Sequence, residues 1–263
     1  MSEIEERGRK TLLFIPEIMD FLTGIQKKSN FIIEKKGEID LVTEGDKGSE
    51  ERLIQFILKN FPNDSILGEE GTSIKGTSPY KWILDPLDGT SNFAHRLPLY
   101  AISIGIQNLE TSKIDYGLIA LPELKDIYHA VRNGGAFKNN KEIYTSQTTK
   151  LIDSLCCTGF PYNRNIEIEV LLKNLREVLI NTRGIRRTGA AALDLAWVAE
   201  GKFDIFYETN LNSWDVAAGA LLVEEAGGRI TKFDGSEFDP FYPETLATNK
   251  ILHSDAVALI RQN

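Results

Sequence analysis

Residues 82–93, WILDPLDGTSNF, set two aspartates three positions apart around a Pro-Leu pair and follow them at once with Gly-Thr. The apolar run over residues 80–84 predicts a strand that ends here. Pro86 fixes φ and removes a backbone donor, which favours a bend aiming Asp85, the Leu87 carbonyl and Asp88 toward one point. Three hard oxygen donors from four residues suit Mg2+. Gly89 permits close backbone approach, and the Gly89 and Thr90 N–H groups would open a short helical turn of the kind that holds a phosphate.

Outward from this stretch the texture divides in two. Toward the N-terminus, residues 3–28 carry apolar side chains at helical spacing. A turn at Gly37 then leads to an extended segment around Leu41, a helix over residues 47–60 ended by Pro62, and a short strand in SILGEEG. After the motif, LYAISIGIQ sets Tyr100, Ile102, Ile104 and Ile106 against smaller residues with period two, and two similar segments follow, an antiparallel meander. From about residue 147 strands and helices alternate, ending in SWDVAAGALLVEEAGG, a helix closed by Gly227 and Gly228. The expectation is an α/β fold: an α+β N-terminal subdomain over residues 1–146 and an α/β C-terminal subdomain over residues 147–263.

Composition narrows the function. A net charge of −8 argues against a general nucleic-acid or anionic-membrane binder, so any anionic substrate needs a local reversal of the field. The only cysteines, Cys156 and Cys157, are adjacent and lack metal or disulfide spacing; read as alternating on a strand, at most one faces the core. With no signal-peptide pattern and no membrane-length apolar run, a cytoplasmic setting is expected. His95 and His129 have no ligand-spaced partner.

Acidic residues recur at element ends: Asp46, Glu69, Glu70, Asp85, Asp88 and Asp215. Each has an ordinary explanation alone, Asp46 as the cap of the following helix and Asp215 as first-turn charge. Together with the Gly-Thr cradle they form what a metal-dependent phosphatase needs. GEEG, WILDPLDGTSNFAHRLPLYAISIG and WDVAAGALLVEEAGG, with DLVTEGD upstream and GIRRTGAAALDLAWVAEGKFDIFYE between, resemble the inositol monophosphatase family over nearly the whole chain. That family consists of Mg2+-dependent, lithium-sensitive phosphatases, commonly homodimers, with a layered αβαβα sandwich.

The resemblance implies roles. Glu69, Asp85 and the Leu87 carbonyl correspond to the ligands of a first ion, and Asp85, Asp88 and Asp215 to those of a second, with Glu69 also helping to hold a third through water. Asp46 and Thr90 correspond to the carboxylate-hydroxyl pair that orients and deprotonates the attacking water, and Gly89 and Thr90 to the phosphate cradle. Glu70 is expected further out, and Lys35 or Lys36 lies near a position where the family has a lysine close to the site. Gly189, Ala190 and Ala191 fall near the substrate, and Glu208 on a ring hydroxyl. Ala190 stands where many relatives have Ser or Thr, and Ser91 replaces a frequent Thr. The TSNF and HRLP segments resemble the branch acting on inositol phosphates more than the one acting on adenosine bisphosphates. Inositol monophosphate is therefore the first choice, with fructose 1,6-bisphosphate second. A rival of another class is a regulatory protein contacting the transcription machinery.

Overall fold

Ser2 caps the first helix in a reciprocal box with Glu5, and the helix then buries Ile15, Ile18, Leu22 and Ile25 along one face. The computed structural model describes residues 1–28, 30–35, 41–161 and 164–260; the expected turn at Gly37 and the candidate Lys36 lie outside them. In chain order the elements are α1 (Glu3–Gln26), β1 (Ile33–Lys35), β2 (Leu41–Thr43), α2 (Glu44–Asn60), β3 (Ser65–Gly68), β4 (Ser73–Ile74), β5 (Tyr80–Asp88) and α3 (Thr90–Ala94). A meander of β6 (Ala101–Asn108), β7 (Ile114–Leu121), β8 (Asp126–Val131), β9 (Ala136–Lys138) and β10 (Lys141–Glu142) follows. Then come β11 (Leu155–Thr158), α4 (Arg164–Asn181), β12 (Gly184–Arg186), α5 (Ala191–Ala199) and β13 (Ile205–Thr209). The chain closes with α6 (Ser213–Glu225), β14 (Arg229–Thr231), β15 (Glu244–Thr248) and α7 (His253–Ile260).

These elements stack in five layers. Helices α1 and α2 cover one face of an eight-stranded sheet of order β10-β9-β8-β7-β6-β5-β3-β4. Helices α5 and α6 lie between that sheet and a five-stranded one of order β12-β11-β13-β15-β14, and α4 and α7 close the far side. The chain thus has the expected mixed α/β layered sandwich. Both sheets are covered on both faces, which is why Cys156 and Cys157 are both fully buried, one in the outer core and one in the central core. The expectation that at most one faces a core assumed a half-exposed sheet and is wrong.

The small residues of the meander have a packing reason. Gly105 and Gly117 are cross-strand partners beneath α6, where an added Cβ would stand 2.9 Å from the Ala217 Cβ and 2.6 Å from the Ala218 carbonyl. Their absent side chains let α6 rest directly on the sheet. That contact fixes the height at which the first turn of α6, and with it Asp215, meets the end of β5.

Two boundaries differ from expectation. Helix α2 begins at Glu44, because Thr43 is its cap and Asp46 the third helical residue, whose carboxylate accepts from the Thr43 N–H at 2.7 Å. Strand β5 runs on to Asp88, with a register shift between Asp85 and Asp88 that accommodates Pro86 as a bulge.

Candidate active site

The bulge in β5 turns the motif into a platform. Asp85 pairs with Ser103 and Asp88 with Ala101, so three steps on one strand oppose two on the other. The displaced backbone lets the Asp85 carboxylate accept from the Leu87 N–H at 2.9 Å. Strand β3 runs parallel to β5, pairing Gly68 with Leu84, and this carries Glu69 to the same strand end. From the other side α6 brings Asp215, whose carboxylate accepts from the Asn212 N–H at 2.7 Å. Asp85 is within hydrogen-bonding reach of both Glu69 and Asp215.

Asp88 meets the start of α5, where its carboxylate accepts from the Ala192 N–H at 2.7 Å. Just beyond it, Gly89 adopts φ 87° and caps α3, a conformation that a side chain would strain. Its Cβ would also stand 3.1 Å from the Ala190 Cβ and 3.3 Å from the Gly189 carbonyl. Gly89 therefore brings the motif against the Gly189–Ala190 turn. The amide of Asn92 fixes this meeting, donating to the Leu99 carbonyl at 2.6 Å and the Thr188 carbonyl at 2.8 Å.

Asp46 reaches the site indirectly. Fully buried, it accepts from the Thr43 hydroxyl at 2.6 Å through one oxygen and from the Thr90 hydroxyl at 2.9 Å through the other. Thr90, also 3.1 Å from the Leu87 carbonyl, lines the cleft that Asp46 does not. Glu208 on β13 lines the opposite wall, against Gly159, whose missing side chain leaves room for the carboxylate.

Glu69, Asp85, Leu87, Asp88 and Asp215 thus border one cleft of about 280 Å³ together with Gly89, Thr90, Gly189, Ala190 and Glu208. Glu70 borders a separate surface depression, its N–H donating to Glu50. Lys35 ends β1. His95 follows α3 as its C-cap, and His129 stacks on Phe137. Of the three residues expected to pack α5, Leu193 and Leu195 are fully buried and Trp197 is partly so.

Acids dominate the electrostatics, with Arg187 the one cation lining the cleft among the described residues. Burial pushes Asp85 well above the usual carboxylate range, and the charges of Glu69, Asp88 and Asp215 push it further. Burial raises Asp88 to about 7 against three α5 amides that favour its charge, and burial with the Asp88 charge raises Asp215 to about 7. Asp46 and Glu208 are raised by burial too, Glu208 with help from Asp194, Asp215 and Asp88. Among the described residues no lysine or arginine forms a salt bridge with Asp85, Asp88 or Asp215. Buried carboxylates without a basic partner are costly unless protonated or bound to a cation.

The donors suit a hard cation: carboxylate oxygens and the Leu87 carbonyl, with neither sulfur nor imidazole. No trio of acidic, histidine or cysteine side chains among the described residues already encloses a metal-sized point, since the carboxylates are turned onto the backbone amides named above. Small rotations, a carbonyl ligand and water suffice to complete such a set, as Mg2+ usually retains several waters.

A family model described as the inositol monophosphatase family matches residues 10–263. The chain belongs to that family, a family of phosphatases. An inositol-1-monophosphatase of Caulobacter vibrioides is 40% identical over 232 residues, 87% of this chain and 90% of its own length. The Nus factor SuhB of Pseudomonas aeruginosa is 38% identical, with 81% of this chain and 80% of the relative covered. Among solved structures, the extragenic suppressor protein suhB of Bartonella henselae superposes with a TM-score of 0.93 at 33% identity, covering 98% of this chain and 99% of that one.

Two charged residues lining the family member's cleft, Arg187 and Asp194, escaped the sequence reading, as did Asn92, whose amide holds the Thr188 carbonyl behind it. Asp194 is buried at the start of α5, accepts from the Thr188 hydroxyl at 2.8 Å, and is pushed up by burial. A single acid inside the apolar run AALDLAWVA was the available signal.

Proposed function

We propose that the protein is an Mg2+-dependent phosphoric monoester hydrolase that releases phosphate from inositol monophosphate by direct attack of water. The carrying observation is the cluster of Asp85, Asp88 and Asp215, with which no lysine or arginine among the described residues forms a salt bridge, set with Glu69 beside the Gly89–Thr90 turn. Glu69, Asp85 and the Leu87 carbonyl would hold one Mg2+, and Asp85, Asp88 and Asp215 a second, with a third, weaker ion near Glu69. Mg2+ held there would supply positive charge to the phosphoryl and leaving oxygens and reverse the sign of the site. Asp46, fixed by Thr43, receives the Thr90 hydroxyl proton as a hydrogen bond, which turns the lone pairs of Oγ1 toward an attacking water. The Gly89 and Thr90 amides steady the phosphoryl oxygens, and Glu208 with the Gly189–Ala190 turn meets the departing ring.

Ala190 presents a methyl group to the cleft where a hydroxyl would donate. Ring selection then rests on Glu208, and fructose 1,6-bisphosphate is the alternative substrate. The test is phosphate release from inositol 1-phosphate, fructose 1,6-bisphosphate, glycerol phosphate, histidinol phosphate and adenosine 3′,5′-bisphosphate, ranked by kcat/KM with and without Mg2+. Inositol 1-phosphate should lead; a lead by fructose 1,6-bisphosphate moves the assignment to the alternative. Lithium should inhibit at millimolar concentrations.

The name of the Pseudomonas relative favours one reading of another class, a regulatory protein that contacts the transcription machinery. Wild type and Asp85→Asn equally inactive across that panel would select it. For assembly we propose a homodimer, which sedimentation at equilibrium checks; Trp197 is the α5 residue that keeps surface for a second copy. No described helix is long and apolar enough to cross a membrane, and the cytoplasm is the proposed setting.

A further inference from the structure

A second cleft lies away from the acid cluster. It encloses about 890 Å³, within the range of small-molecule sites, against about 280 Å³ for the acid-lined cleft. Its walls come from the start of β5, the end of β6, the loop into β7, the C-terminal half of α6, β14 and the loop preceding β15. It therefore sits at the opposite ends of the strand and helix that carry Asp85 and Asp215. Lys81 to Asp85 spans four strand residues, about 13 Å. Asp215 to Glu224 spans nine helical residues, also about 13 Å.

Its charge differs, with Lys81, Lys113, Arg132 and Arg229 set against Glu224, Glu237 and Asp239. The three acids lining it are engaged: Glu237 by Lys113 at 2.7 Å, Glu224 by Arg132 at 3.2 Å, and Asp239 by the Phe241 N–H at 2.9 Å. Two further cations line the same cleft, Lys81 and Arg229, and among the described residues neither forms a salt bridge or a side-chain hydrogen bond. Beside them stand apolar surfaces a folded chain would ordinarily cover: Phe241 is 52% exposed and Leu109 41%. The Lys81 ammonium lies 5.4 Å from the centre of the Phe241 ring, so charge and ring belong to one patch.

We propose that this cleft is a second binding site, for a small organic dianion with an aromatic body. Arg229 and Lys81 take the anionic group, and Phe241 with Leu109 takes the ring. Lys81 beside the exposed Phe241 ring, with Arg229 on the same cleft, matches such a ligand, whereas a sugar phosphate would leave Phe241 without a ring to stack on. A neutral aromatic leaves the two cations without a counter-charge.

Phenylphosphonate is the probe, because its C–P bond is not a phosphate ester. Calorimetric titration is run at pH 8 both with EDTA, where the acid cluster repels a dianion, and with Mg2+. Binding is expected in both, weakened at least about tenfold in the K81Q/R229Q double variant and weakened also in Phe241→Ala, with the double variant melting like wild type and retaining its phosphate release. Methylphosphonate, lacking the ring, should bind more weakly. No binding in EDTA up to about 10 mM, a free energy near 3 kcal/mol, overturns the proposal. So does binding that needs Mg2+ and ignores K81Q/R229Q, which would place the probe in the acid-lined cleft, and so does methylphosphonate binding as tightly as phenylphosphonate.

Discussion

Asp64 and Asp85 are each 1% exposed, lie beside neighbouring strands, and have opposite fates. Asp64 receives a two-pronged grip from Arg7, Nε and an Nη each at 2.8 Å, with the Ser78 hydroxyl at 2.6 Å and the Trp82 indole N–H at 2.8 Å. Burial alone would raise it, but these donors outweigh burial and hold it below the usual carboxylate range. Asp85, three residues beyond Trp82 on β5, accepts one amide and faces other acids. The first carboxylate carries its counter-ion in the chain and acts as scaffold; the second leaves that charge to be taken from solution. A buried acid's partners, more than its burial, separate structure from function.

The widest separation is expected from removing each acid in turn. Asp85→Asn should lower kcat/KM about 10³-fold or more, the loss of a group that stabilises charge in the transition state. The same change replaces a buried carboxyl that burial and its acidic neighbours make costly to ionise, so the melting temperature in EDTA should stay level or rise. A fall in stability without loss of phosphate release would break the comparison. Asp64→Asn should do the reverse. It leaves Arg7 buried beside a neutral amide, at a cost of about 3 kcal/mol, the low end of the range for a broken buried pair. Arg7 keeps its stacking on Tyr80, 4.0 Å to the ring centre, and its bond to the Glu3 carbonyl. Urea unfolding measures the loss, and kcat/KM per folded molecule should remain at the wild-type value.

Thr90→Val sharpens the comparison at the edge of the acid cluster. Asp46 keeps its bonds to Thr43, so stability should move little, while the water-orienting hydroxyl is gone. A drop of about 10²-fold in kcat with KM nearly unchanged is expected from steady-state rates. An equal loss in KM would make Thr90 a binding residue instead.

How much of this was legible beforehand follows from range. Local patterns carried α1, the meander and α6, because periodicity and glycine stops are written within each segment. The bulge at Pro86 was not legible as a continuing strand, since the Asp85–Ser103 and Asp88–Ala101 pairings that carry β5 past it are non-local. Covering of both sheet faces, which buries Cys156 as well as Cys157, also depends on distant helices. The acids and the Gly-Thr turn stood out through the family resemblance, but their encounter did not: it needs Gly105 and Gly117 beneath α6 and Asn92 gripping residue 188. The Arg7–Asp64 grip, 57 positions apart, left no local trace at all.

The smallest expected effect is the pH dependence of stability, and here the two regions pull in opposite directions. Asp64, lowered on folding, contributes stability above its unfolded value near 4 and loses it as pH falls through its folded value. Asp88 and Asp215, raised to about 7, behave inversely: protonated in the folded chain while the unfolded chain has already ionised, they cost stability progressively as pH rises from about 4 to 7. Because the two interact and keep some solvent contact, the penalty is nearer that of one discounted group, about 2 kcal/mol, or a melting shift of roughly 4 to 8 °C. In EDTA the melting temperature should therefore peak near about pH 5 and fall toward about pH 8. Mg2+ binds the ionised acids and should erase the fall on the alkaline side, leaving the acid side, which belongs to Asp64, unchanged. Circular-dichroism melts across this range decide it: an EDTA profile that is flat or rising toward alkaline pH would mean that the chain supplies these acids with a counter-ion after all, and that they are scaffold like Asp64.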